Sequence, residues 1–344
     1  MADVRLTRSR AFHEGCVRVA HVGCGAWGQN LVRELRDHPA VELVLLIDPD
    51  AKALARCHTL VPSAATASSI RAIEEQAMDA VVIASPETQH ASHALAALRT
   101  SNVFLEKPMT TSVAEARTLL AACKTFHRIG MVGHLLHYHG AVRTLLANVR
   151  EGRIGVPRAF RSARLCVKGS RKTDSSVLWS LAPHDISVLR ALDASAVRLM
   201  TVDVRSVDSA VANAAEIHMR MASGLMARVE VSRAHQHKVR RMEVVGEDGT
   251  IVFDDVAHGP KLTLRWGGEV GGLGGYSVGG RIEPLAFDTV PPLRAEVDTF
   301  VRCVATRTTP QTDFSEGYEV VELLERAHRL GCGTGRSTVA MEAR

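Results

Sequence analysis

Three glycines in the run Val22-Gly23-Cys24-Gly25-Ala26-Trp27-Gly28 have the G-x-G-x-x-G spacing with which a backbone wraps a pyrophosphate. Gly23 permits the tight turn, Gly25 leaves the main chain open to a phosphate, and Gly28 lets a helix beginning near Ala26 pack against the preceding strand. Ala26 and Trp27 then stand at a helix N-terminus, where N–H groups and the helix dipole favour an anion. Asp48 follows Gly28 by twenty residues at the end of a second apolar run, a place from which a carboxylate accepts hydrogen bonds from a ribose diol. It would repel a ribose 2′-phosphate, and Pro49-Asp50 supply no cation, so NAD(H) is favoured over NADP(H).

These residues need a frame that brings strand ends together. Apolar runs at 17–22, 41–47, 79–84, 102–105 and 129–133 alternate with helical patterns at 51–57, 88–99 and 112–127, which predicts a doubly wound parallel sheet of the Rossmann type. Ser112 and Glu115 have capping-box spacing at the start of the last helix. Gly23, Asp48, Ser85-Pro86 and Glu106-Lys107-Pro108 all fall after strands, so four segments converge on one crevice. From about residue 153 the texture changes to strands at 156–167, 197–207, 214–221, 225–233, 238–246 and 250–254. Helical patterns lie at 180–192, 293–306 and 315–330, an α+β arrangement with a large, mostly antiparallel open sheet. Eight of the fourteen residues from Gly267 to Gly280 are glycine, which predicts a surface loop. The expected organisation is a disordered tail at 1–15, a dinucleotide-binding domain at 16–133, a substrate-binding and oligomerisation domain at 134–330, and a tail at 331–344.

The bulk properties narrow the function further. A net charge of +5 is spread along the chain, and the densest cationic stretch, 168–172, has no interleaved aromatics, so no nucleic-acid partner is expected. No apolar segment is long enough to cross a membrane and no secretory h-region follows the basic first residues, so no membrane partner is expected either. Seven cysteines without a C-x-x-C pair fit reduced thiols and a cytoplasmic setting. His134, His137 and His139, like His235 and His237, lack the cysteine or carboxylate partners of a familiar ligand pattern, and no metal is expected.

Taken together, GCGAWG, Asp48, the run Ser85-Pro86-Glu-Thr-Gln-His90, Glu106-Lys107-Pro108, Gly133-His134 and Pro183-His184-Asp185 resemble the glucose-fructose oxidoreductase / inositol dehydrogenase / MocA (Gfo/Idh/MocA) family over residues 16–330. The runs 177–187, 238–246 and 253–255 look most like its branch of UDP-N-acetylglucosaminuronate 3-dehydrogenases. The resemblance implies an NAD(P)-dependent oxidoreductase acting on CH–OH groups of a small-molecule sugar, nucleotide-linked or amino-bearing. Two alternatives stay open: a keto-sugar or cyclitol reductase in a secondary-metabolite pathway such as antibiotic biosynthesis, and a cofactor-binding homologue without catalysis. Relatives pair their open sheets, which implies a homodimer or homotetramer.

By the same resemblance Lys107 lies where nicotinamide and substrate meet, and an ammonium beside a cationic ring is disfavoured, so Lys107 can trade protons. His184 is the second expected catalytic group, a side chain that titrates where hydroxyl-to-ketone chemistry needs it; a core histidine is the plainer alternative. Glu106, Ser85, Pro86 and His90 are expected beside the cofactor. His134, Trp179, Ser180 and Asp185 are expected beside the substrate. Arg164, Lys168, Arg171 and Lys238 are candidates for its phosphate or carboxylate groups, each equally readable as a solvated charge. Ser180 is the departure: relatives commonly place an aspartate there, and serine cannot hold a charge that raises a histidine pKa.

Overall fold

A computed structural model describes residues 16–168, 175–207, 211–267, 269–270, 277–278, 280–332 and 338–340. Six strands make a parallel sheet: β1 (Val17–Val22), β2 (Val41–Ile47), β3 (Ala65–Ala67), β4 (Ala80–Ile83), β5 (Asn102–Leu105) and β6 (Gly130–Val132), in the order β3-β2-β1-β4-β5-β6. Chain order reverses between β1 and β4, and a crevice beyond the carboxyl ends of the strands at such a switch point is where ligands of open α/β sheets bind. Helices α1 (Gly28–Asp37), α2 (Ala51–Leu60), α3 (His90–Leu98) and α4 (Val113–Thr125) cover its faces. Val19, Leu46, Val82 and Phe104 are fully buried between these layers, as strands covered on both sides require.

After α5 (Gly140–Arg150) the chain enters a larger sheet. Its strands are β7 (Pro157–Val167), β8 (Val197–Arg205), β9 (Ala214–Met221), β10 (Met226–His235), β11 (Val239–Gly246), β12 (Thr250–Asp254) and β13 (Leu262–Trp266), with a short pair β14 (Glu269–Val270) and β15 (Ser277–Val278) apart from it, then β16 (Arg281–Pro284) and β17 (Thr338–Ala340). The nine-stranded order is β16-β13-β12-β11-β7-β10-β9-β8-β17, antiparallel throughout except for the parallel β7/β10 pair. One face is covered by α6 (Val177–Ser180), α7 (Ala182–Leu192) and α9 (Phe314–Cys332), while α8 (Pro292–Thr306) returns to α1 and β1. Helix α9 also packs on α4 and β6, so both sheets share one buried cluster that includes Leu105, Val132, Ile186, Met200 and Leu324.

Several local expectations are corrected. Helix α1 begins at Gly28 rather than near Ala26, with Trp27 as its N-cap. Ser112 precedes α4 without a side-chain cap; its own N–H donates to Thr110 Oγ1, and the Val113 N–H is taken by Glu325 of α9, a tertiary partner displacing the local box. The pattern read as one helix at 180–192 breaks at Leu181 into α6 and α7. Residues 338–340, read as tail, pair with β8, and in the glycine-rich stretch 269–270 pairs with 277–278 while 268, 271–276 and 279 lie outside the described residues. The expected tail at 1–15 lies outside the described residues.

Candidate active site

The glycine turn is built as its spacing requires. Gly23 has φ +98°, and a Cβ there would lie 2.5 Å from the Ala84 backbone; one on Gly28 would lie 1.8 Å from Gly23 O. Gly25 has nothing within 4 Å of its Cβ position, which leaves open the face a pyrophosphate would approach. Beneath the turn, buried His21 donates from Nε2 to Gly23 O at 2.8 Å; burial pushes its pKa down to about 4, so the ring is neutral. Asp48 ties the turn to β2, its Oδ2 accepting from Cys24 N at 2.6 Å and its Oδ1 from Asp50 N at 2.8 Å. A carboxylate has about four acceptor sites, so capacity for a ribose diol is left. No side chain caps α1, whose N-terminus faces this turn. The open Gly25 face, the uncapped helix and Asp48 fit a dinucleotide.

A cleft of about 670 Å³ opens beside Trp27 and continues past Ser85, Glu106, Lys107 and His184 to Arg240 on the larger sheet. Glu106 is buried at its inner wall, accepting from Trp27 Nε1 at 2.5 Å and from Lys107 N at 3.2 Å; burial pushes its pKa up against the pull of Lys107 and Trp27. The Lys107–Pro108 peptide is cis, and Lys107 Nζ donates to Ser180 O at 3.0 Å, reaching from β5 to the end of α6. His90 braces the loops from below, with Nδ1 2.7 Å from Pro108 O and Nε2 2.9 Å from Ser85 O; a neutral ring has one N–H to share between them, and burial lowers its pKa to about 4. His184, half-buried on α7, has Nδ1 without a hydrogen-bond partner. Burial first, then the charges of Lys107 and Arg164, hold its pKa well below 6.5, so a neutral imidazole faces the cleft.

The break at Leu181 turns Ser180 away from the role its position suggests. Its hydroxyl donates to Ser176 O at 2.9 Å and accepts from Arg233 Nη2 at 3.0 Å; only its carbonyl meets Lys107. Of the expected residues, Trp27, Ser85, His90, Glu106, Lys107, Arg164, Ser180 and His184 line the cleft. Asp185 does not: it is buried, with Oδ2 accepting from Arg164 Nε at 2.7 Å and Oδ1 from Arg164 Nη2 at 3.1 Å and from Ser162. Trp179 is buried against His328, and Pro86, Lys168 and Lys238 are exposed outside the lining. Arg171 lies outside the described residues. His134 is buried behind the wall, donating from Nδ1 to Glu316 at 2.6 Å, and His137 is equally buried, 2.6 Å from Ser187 Oγ. His139 caps α5 and does line the cleft, 3.9 Å from Asp255.

Sequence reasoning missed Arg240, Arg241, Asp255 and Lys261, which form the wall on the larger sheet. The signal for the two arginines was the strand at 238–246, whose cationic run was visible while its register against β7 was not. Among the described residues no group of three or more His, Cys, Asp or Glu side chains is placed to hold a metal ion, and no helix is long and apolar enough to cross a membrane.

Comparison with known proteins agrees with this architecture. The Gfo/Idh/MocA model described as an oxidoreductase family with an NAD-binding Rossmann fold matches residues 17–134, and the family's C-terminal domain model matches 142–252. UDP-N-acetylglucosamine 3-dehydrogenase of Acidithiobacillus ferrooxidans is 27% identical over 249 residues, 71% of this chain and 76% of its own, and its solved structure superposes with a TM-score of 0.80 over 91% and 97% of the two chains at 22% identity. Inositol 2-dehydrogenase of Acidothermus cellulolyticus is 30% identical over 257 residues, covering 69% and 72%. GenD2 from gentamicin A biosynthesis, solved with NAD, gives a TM-score of 0.81 at 21% identity over 98% and 100%. On both its halves this chain belongs to the Gfo/Idh/MocA family and is an NAD(P)-dependent oxidoreductase.

Proposed function

We propose that the protein is an NAD(H)-dependent sugar oxidoreductase, with residues 16–133 holding the cofactor and 134–330 the substrate, a nucleotide-linked or amino sugar. The observation that carries the reading is the cleft itself: Lys107 Nζ, held by Ser180 O, and neutral His184 share it at the outlet of the glycine turn. The nicotinamide ring, when bound, supplies hydride acceptance or donation. Lys107 is assigned the proton of the reacting hydroxyl, with His184 assisting as an acceptor, and the same pair returns the proton when a ketone is reduced. Glu106 and Trp27 fix the cofactor-side wall. Asp48 supports NAD(H) over NADP(H), since its carboxylate would repel a 2′-phosphate. Likeness to UDP-N-acetylglucosamine 3-dehydrogenase supports the substrate class. The larger sheet, of the kind that relatives pair, supports a homodimer or homotetramer, which light scattering would test against the 37.2 kDa chain.

The test follows absorbance at 340 nm with NAD and UDP-linked sugars, free amino sugars and inositols, and with NADH and their keto forms. Turnover is expected and should fall about 10²- to 10⁴-fold in Lys107→Ala, with NADH affinity kept. Undiminished turnover in that variant would remove Lys107 from the chemistry. Tight NADH binding with no turnover on either panel would favour a non-catalytic homologue.

A further inference from the structure

On the wall that the larger sheet gives the cleft, Arg240 of β11 is the direct cross-strand neighbour of Arg164 on β7. Like charges in that arrangement repel, and a sheet tolerates them when each finds a counter-charge. Arg164 has one, since both oxygens of Asp185 are committed to it. Lys261 holds Asp255 at 3.0 Å, and Arg241 has Glu243 at 3.8 Å and Asp254 at 4.0 Å. The Arg240 guanidinium, half-buried and lining the cleft, makes no ion pair or hydrogen bond with any described residue. Burial and Arg164 weaken its hold on charge relative to an ordinary arginine, with Cys166, Asp185 and Asp255 only moderating this. A planar fork of donors, partly stripped of water and facing a cleft, is a site for a carboxylate or phosphate rather than a scaffold for the sheet.

We propose that Arg240 anchors an oxyanion carried by the substrate, a carboxylate or a phosphate, so that the reacting carbinol is set at Lys107 and His184 from the larger-sheet side of the cleft. The inference rests on the sugar-oxidoreductase reading and narrows it to acidic sugars. Neutral sugars would lack this tether and bind weakly.

Calorimetric titration of the NADH-loaded protein with glucuronate, glucose 1-phosphate and glucose separates binding from turnover. Wild type is expected to bind at least one of the two anions more tightly than glucose. Arg240→Gln should weaken that anion about 10- to 100-fold while leaving glucose and NADH unchanged, and Arg240→Lys should recover part of the loss. Preference for glucuronate would identify a carboxylate, and preference for glucose 1-phosphate a phosphate. Equal binding of all three sugars by wild type, or an anion preference that survives in Arg240→Gln, would overturn the assignment. Because removing Arg240 also removes a like-charge contact, the variant should melt no lower than wild type. Should it fail to fold, competition by inorganic phosphate against glucuronate in wild type gives the second reading: its absence counts against an oxyanion site. Failure of every sugar to turn over, with the anion preference intact, would sink the activity and leave this site standing.

Discussion

Ser180 holds Lys107 through its main-chain carbonyl, while its hydroxyl is committed to Ser176 and Arg233. The missing carboxylate was legible in the sequence; the substitute arrangement was not, because it depends on the backbone break at Leu181 and on an arginine more than fifty residues away. A carboxylate returned to this position would meet Arg233, the partner of the present hydroxyl, four residues before His184. His184 is now neutral because burial and neighbouring cations disfavour its charged form. An anion favours that form, so Ser180→Asp should raise the His184 pKa and move the acid limb of the kcat/KM profile to higher pH. The displacement is read from pH–rate profiles of the two proteins. A limb that stays in place would mean that His184 does not titrate in the reaction.

Among the elements, the glycine turn was the most legible, because each of its glycines answers a separate steric demand that spacing alone encodes. The structure divides those demands cleanly. At Gly23 a methyl meets the Ala84 backbone and φ is already +98°; at Gly25 it meets nothing. Gly23→Ala should therefore cost several kcal/mol of stability or prevent folding, since neither backbone can yield. Gly25→Ala should melt within a few degrees of wild type yet bind NADH about tenfold or more weakly, because its methyl stands where the main chain is open to a phosphate. Melting curves and NADH fluorescence titration check both, and equal loss of stability in the two variants would refute the division. The larger sheet was less legible for a physical reason. Its strands alternate recognisably, so β7 to β12 were found within a residue or two, but the wall of the cleft depends on which strand faces which. Arg240 opposite Arg164 is a fact of register, and register is set by long-range pairing that no local pattern records. Lys168 and Lys238 were chosen on charge alone and proved exposed; Arg240, two residues beyond Lys238, faces the cleft.

Over the whole molecule, the same histidines that brace the site link its integrity to pH. His21 lies under the glycine turn, His90 between the Ser85 and Pro108 loops, and His137 between the 135–138 turn and α7; burial lowers each pKa to about 4. A histidine whose folded pKa is depressed contributes stability above its unfolded value near 6.5 and loses it as pH falls toward 4, because the unfolded chain takes up a proton that the folded one refuses. Glu296 on α8 acts in the opposite sense. It is fully buried with both oxygens unpartnered, and burial followed by repulsion from Glu106 pushes its pKa well up, so it takes up a proton on folding and its contribution falls as pH rises past about 4.5. His184, whose charged form burial also disfavours, adds to the histidines, and Glu106, pushed up by burial, adds to the carboxyls. Near pH 5 the histidines therefore outweigh the carboxyls by about two protons, so unfolding free energy should drop by about 2 to 3 kcal/mol for each pH unit lost. Glu296→Gln removes one opposing proton and should steepen that slope toward about 4 kcal/mol per pH unit while stabilising the protein at pH 8. Urea unfolding of both proteins from pH 8 to pH 5 measures the two slopes. Parallel lines would show that Glu296 is ionised in the folded state, and a flat wild-type profile would show that the buried histidines are protonated there. Since His21, His90 and His137 brace the cofactor turn or the floor of the cleft, NADH affinity should decline over the same interval in which stability does.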